Sequence, residues 1–132
     1  MNMNNIEIIR RWYDTHNPNL LDTECVWQIA EGFPHGGTYT SAKAVLEEFF
    51  PRLLADFEVW KADVSEILDA EGTVLSLGRY RGQTKANSVK VNVPFVHLWK
   101  VKDDKIVWFQ NYTDTLLIAR ALQKLDALQG QL

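Results

Sequence analysis

Three side chains are the candidates to hold or pass a proton at a site in this sequence: His97, Tyr13 and Asp14. His97 stands in an otherwise apolar alternating row, Val89, Val91, Val93, Phe95, His97, Trp99 and Val101. A period of two puts that row on one face of a strand. An imidazole there is a core group satisfied by one neighbour, or a pocket acid or base working near neutral pH. Burial lowers its pKa and keeps the ring neutral unless a carboxylate such as Asp14 lies close. Tyr13 sits on a helical stripe, where its ring packs and its hydroxyl needs one partner. Asp14 follows directly and so points roughly 100° away on an ideal helix. Asn111, sharing the His97 face, is an amide able to orient a ligand, and Glu31 and His35 fall in a glycine-rich loop suited to a rim or lid.

The elements that must position these groups are legible from pattern. The run from Val89 to Thr113, broken by Lys102-Asp103-Asp104, reads as a β-hairpin. A two-residue Asp103-Asp104 loop pairs His97 with Gln110; a three-residue loop with Asp104 left-handed pairs it with Phe109. The second is chosen because Asp104 tolerates positive φ and aspartate pairs make poor type I′ turns. Val107, Phe109, Asn111 and Thr113 then join the His97 face, with Val96, Leu98, Ile106, Trp108 and Tyr112 opposite. Upstream, a first helix capped by Asn4 or Asn5 runs to about His16, with Ile6, Ile9 and Tyr13 as its stripe. Short strands follow at Cys25–Ile29 and Thr38–Thr40. Ser41 caps a helix carrying Ala44, Val45, Phe49 and Leu53 inward, with a kink or fresh start at Pro51. Long strands span Phe57–Asp69 and Thr73–Thr84, and Asp114 caps a closing helix with Leu117, Ala121, Leu122 and Leu125 inward. Helix, small hairpin, helix, four long strands and a last helix make an α+β domain.

At 132 residues the chain is one domain, 1–132, with room for a core. The net charge of −3 leaves no basic face for nucleic acid. One cysteine, Cys25, cannot form an internal disulfide and suits a reducing compartment. The first residues lack a signal peptide's charged start and apolar run, and no stretch is long enough to span a bilayer, so the expected location is cytoplasmic. His16, His35 and His97 lack metal-ligand spacing, and no glycine loop cradles phosphate, so no cofactor is expected.

The strings GGTYTSAKAVLEEFF (Gly36–Phe50), PFVHLWKVKDDKIVWF (Pro94–Phe109) and NYTDT (Asn111–Thr115), in this element order, resemble the nuclear transport factor two-like superfamily, in its SnoaL-like and ketosteroid-isomerase-like branch. The resemblance covers nearly the whole chain and fixes fold better than chemistry. It implies a cystatin-like cone, a curved antiparallel sheet wrapped around helices over an apolar pocket. It also implies proton-transfer chemistry, with Tyr13 matching the tyrosine of the isomerases' oxyanion hole and His97 standing where the second donor would be. The isomerases' base, an aspartate near the first strand, has no counterpart between Val26 and Pro34. The Tyr13-Asp14 pair also resembles that of scytalone dehydratase.

Trp27, Phe33, Tyr39, Phe49, Leu53, Trp60, Tyr80, Phe95, Trp99 and Phe109, with His35 and Asn111, are the expected wall of the pocket. Its occupant would be a small apolar molecule, cyclic or polyketide-like, handled by an isomerase, cyclase or dehydratase. The alternative is a homodimeric binding or interaction module that kept the pocket and lost the base. Because both faces of the hairpin are apolar, the outer one (Val96, Leu98, Trp108 and Tyr112) is expected to meet a second copy.

Overall fold

The computed structural model describes residues 4–123. The first helix, α1 (Asn5–Thr15), starts where Asn4 accepts the Glu7 N–H on its side chain at 2.9 Å. It ends at His16, which is left-handed (φ 51°) and donates its N–H to the Trp12 carbonyl. The buried stripe is Ile8, Ile9 and Trp12, sharing only Ile9 with the expected Ile6, Ile9 and Tyr13; Tyr13 lies half-buried at its edge. A 3-10 turn (Pro18–Leu20) leads into β1 (Leu21–Ile29), which is longer than the expected Cys25–Ile29. β2 (Gly37–Tyr39) pairs antiparallel with it.

The second helical stretch is three pieces in line: α2 (Ala42–Ala44) capped by Ser41, a π-helical turn (Val45–Phe49), and α3 (Phe50–Asp56). Proline at 51 explains the middle piece, because its missing N–H and its ring disfavour a regular turn just before it. The Phe50 N–H instead reaches back to Val45. The wider turn lets neighbouring Phe49 and Phe50 both face the interior.

β3 (Phe57–Ala70), β4 (Thr73–Thr84), β5 (Lys90–Lys102) and β6 (Lys105–Thr113) follow as an antiparallel meander, and α4 (Thr115–Ala121) begins on the Asp114 cap. The sheet order is β2-β1-β6-β5-β4-β3, all antiparallel except β1 beside β6. That parallel pair makes the sheet mixed, where the family resemblance had implied an antiparallel sheet. Bends come from bulges in β3 near Val59 and Ser65. Opposite the second, a Cβ on Gly78 would stand 2.2 Å from the Asp63 carbonyl oxygen, so only glycine allows the two strands to close there.

The central hairpin corrects the expected register. Asp103 (φ 51°) and Asp104 (φ 62°) form a two-residue turn with both residues left-handed, and Lys102 pairs with Lys105. A bulge then makes Val107 an extra residue, so Lys100 pairs with Trp108, Trp99 with Phe109 and His97 with Asn111. Turn and bulge together restore Phe109, Asn111 and Thr113 to the His97 face. Ile106, expected outside, pairs with Val101 and is fully buried. In α4 Ile118 and the expected Ala121 are buried and Leu122 packs partly buried against the core, while Leu117 is exposed; Leu125 lies outside the described residues.

Candidate functional site

Strand register builds the site. Ser76 on β4, His97 on β5 and Asn111 on β6 lie side by side across three strands, forming a polar row on the inner face. The next row is aromatic: Trp99, Phe109 and Trp27, continuing to Tyr39 on β2. α1 lays Tyr13 over the polar row, and Tyr80 reaches it from further along β4.

These groups form one unbroken run of hydrogen bonds. The Trp99 indole N–H donates to Ser76 Oγ at 2.9 Å, and Ser76 Oγ lies 2.7 Å from the Tyr13 hydroxyl. Tyr13 is 2.5 Å from Nδ1 of His97, whose Nε2 is 2.6 Å from the Tyr80 hydroxyl. The Asn111 amide donates from Nδ2 to the Tyr80 oxygen at 3.2 Å and accepts the Ala30 backbone N–H on Oδ1 at 2.8 Å. Phe95 stacks on the His97 ring at 3.9 Å between centroids. Burial lowers the His97 pKa well below its usual value and holds the ring neutral. The same desolvation raises the hydroxyl pKa of Tyr13 and of Tyr80, against the smaller opposing effects of Ser76 and Asn111 respectively. All three groups are thus uncharged proton carriers.

The run forms the floor of a cavity of about 420 Å³. Its wall includes Trp27, Phe33, Phe49, Leu53, Trp60, Trp99 and Phe109 from the expected set, and Trp12, Ile29, Leu46 and Phe50 beside them. Lys61, exposed Leu54 and His16 also line it. Among the described residues no aspartate or glutamate lines this cavity. The indole N–H of Trp27 is buried and has no partner among the described residues, and its ring is surrounded by Trp12, Phe50 and Trp99 at 5.6–5.8 Å with planes nearly perpendicular to its own.

Four expected site residues stand elsewhere. Asp14 is exposed and does not line the cavity, because one helical step turns it from the face Tyr13 uses. His35, left-handed at φ 59°, donates its Nε2–H to Asp56 Oδ2 at 2.8 Å and braces the β1–β2 loop against α3. Tyr39 donates its hydroxyl to the His35 carbonyl at 2.6 Å and packs on Phe49. Phe95 lies behind the His97 ring instead of in the wall. Ser76 was not singled out from the sequence, although it shares strand parity with Val74 and Tyr80. Among the described residues no three His, Cys, Asp or Glu stand together as a metal-binding group, and no helix is long and apolar enough to cross a membrane.

The family profile of the SnoaL-like domain matches residues 9–109, the span from α1 through β6. The chain belongs to the SnoaL-like domain family. Among solved structures, an NTF2-like protein from Burkholderia thailandensis E264 is 31% identical, with a TM-score of 0.81 over 89% of this chain and 95% of that one. TerC, co-crystallised with polyporic acid, is 20% identical with a TM-score of 0.79, covering 90% of this chain and 98% of its own. A protein with a ketosteroid isomerase-like fold from Catenulispora acidiphila DSM 44928, in complex with trimethylamine, is 19% identical. Its TM-score is 0.75, over 89% of this chain and 92% of that one. The last two likenesses are of fold. Among curated proteins none matches the chain.

Proposed function

We propose that this SnoaL-like domain binds an apolar, ring-bearing small molecule, cyclic or polyketide-like, in the cavity above His97. The chemistry the site supports is proton transfer of the kind used in isomerisation, cyclisation or dehydration. His97 would be acid or base and Tyr13 the donor to oxygen. The observation that carries this reading is a Tyr13–His97–Tyr80 run at the floor of an otherwise aromatic cavity. A neutral imidazole held between two hydroxyls can pass a proton either way. TerC, which shares this fold, was co-crystallised with polyporic acid, and that supports reading the cavity as a small-molecule site.

NMR titration of His97, with and without a panel of aromatic and steroid-like ketones, tests it. The expected result is a ring resonance that moves with ligand. A ring that ignores every member of the panel would make His97 a core residue and sink the reading.

The absence of a carboxylate from the cavity wall favours a second reading, a homodimeric binding module without a base. Its contact would be the outer sheet face, where Tyr112 is half-exposed and Val96, Leu98 and Trp108 are partly covered. Replacing Trp108 by Glu should then convert a dimer to a monomer in sedimentation while leaving ligand binding intact. An unchanged profile would defeat that interface.

A further inference from the structure

The hydrogens of the floor can be counted. Both ends of the run are donors only: Trp99 through its indole N–H, and Asn111 through Nδ2, because its Oδ1 already takes the Ala30 N–H. Between them stand Ser76, Tyr13, neutral His97 and Tyr80, each with one polar hydrogen. Only three bonds join those four groups: Ser76 to Tyr13, Tyr13 to His97, and His97 to Tyr80. Four hydrogens for three bonds leave one over.

The surplus has three places it can sit. If every bond runs toward Ser76, its hydroxyl hydrogen is stranded at a fully buried side chain that does not line the cavity. Stranding a buried donor is unfavourable. If His97 carries its hydrogen on Nδ1 and Ser76 donates to Tyr13, the surplus is on Tyr13. If His97 carries it on Nε2, the bonds run Ser76 to Tyr13 to His97 to Tyr80 and the surplus is on Tyr80. Both tyrosines line the cavity. The groups on the ring nitrogens are these two hydroxyls, and the nearest charge in the wall is Lys61, an exposed cation that gives the ring no reason to take a second proton. The Trp27 N–H, without a partner among the described residues, is a separate donor shut off from solvent.

We infer that this cavity offers its ligand one hydroxyl hydrogen and not two, delivered by Tyr13 or Tyr80 according to which His97 nitrogen is protonated. The inference rests on the reading that the cavity binds a small molecule, and it narrows the class. The ligand is a neutral molecule with one hydrogen-bond acceptor, such as a ketone, quinone or ester carbonyl, set in an apolar frame. A carboxylate would need more donors than the floor supplies. The His97 tautomer then decides which end of the cavity holds the acceptor.

The test uses the whole chain with three matched probes, 2-acetylnaphthalene, 2-ethylnaphthalene and 2-naphthoate, measured by calorimetry. Nitrogen-15 spectra of the histidine rings are recorded alongside. The ketone should bind about ten-fold tighter than the hydrocarbon, the scale of one neutral hydrogen bond, with the carboxylate weaker than the ketone. A carbon-13 label in the ketone carbonyl should shift downfield on binding, and His97 should show one protonated and one bare nitrogen at pH 7. Equal binding of ketone and hydrocarbon with no carbonyl shift would overturn the inference while leaving the binding reading intact. So would a doubly protonated ring at pH 7, which adds a second surplus hydrogen, or tighter binding of the carboxylate than of the ketone. Failure of all three probes to bind would remove the binding reading and the inference with it.

Discussion

Along β5 the side chains of Val91, Val93, Phe95, His97 and Trp99 are buried, whereas Asn92 and Pro94 are exposed and Val96 and Leu98 half-covered. The two faces of one strand solve the polar-group problem in opposite ways. Inside, each polar side chain on the floor has a hydrogen-bond partner, a single hydroxyl hydrogen is left over for the cavity, and the charge is zero. Outside, polar groups meet water and pair loosely: Arg81 reaches Asp63 at 3.0 Å, and Lys100 lies over the Trp108 ring at 5.1 Å. A low-dielectric interior makes hydrogen-bond matching a condition of folding, while on the surface solvent does most of that work.

The contrast can be broken at its strong end first. Replacing Trp99 by Ala removes a buried indole and the donor that anchors the run at Ser76, and should cost about 3–5 kcal/mol in denaturant melts. A loss under about 1 kcal/mol, the range of ordinary surface substitutions, would show the inner face to be loosely packed.

A middle-sized effect belongs to His97 and pH. Its folded pKa lies below the unfolded value of about 6.5. Between those values the unfolded chain binds the extra proton, so stability is whole above the unfolded pKa and falls as pH drops through that window. The slope from this one group is at most about 1.4 kcal/mol per pH unit. His97→Gln should flatten that part of a stability-versus-pH curve, and His16→Asn should flatten it less, because burial lowers the His16 pKa at a more open helix end. Equal curves for all three proteins would mean that the His97 ring is hydrated.

The smallest effect is expected outside. Arg81→Ala removes a pair whose side chains are 51% and 45% exposed, and should change stability by no more than about 1 kcal/mol. A larger loss would mean the outer face is covered in solution and would sharpen the case for a partner there.

How much of this was legible in the sequence follows from range. Period-two runs located β3 to β6 within a residue or so, and the Asn4, Ser41 and Asp114 caps were visible because a cap is a local signal. The Tyr13–His97 pairing and most of the aromatic wall were legible from parity together with family resemblance. The turn at Asp103-Asp104 was not. Two left-handed aspartates in succession are uncommon, and the bulge at Val107 that compensates for the turn leaves no mark in a hydrophobic pattern. Parallel pairing of β1 with β6 is a tertiary choice with no local trace. Ser76 escaped because a small hydroxyl in a strand reads as solvent-facing, and Asp14 was drawn in by its neighbour when one helical step carries it away.

The pairing of the first strand with the last also has a consequence in time. Ala30 at the end of β1 hands its N–H to Asn111, a residue 81 positions later, and Trp27 lies beside Phe109. Contacts so distant in sequence must close a large loop before they return any stabilisation, which slows folding. During synthesis β1 and α1 emerge early and wait for the final hairpin. The floor of the cavity is assembled from α1 and from β4, β5 and β6, so it closes only after segments far apart in the sequence have met.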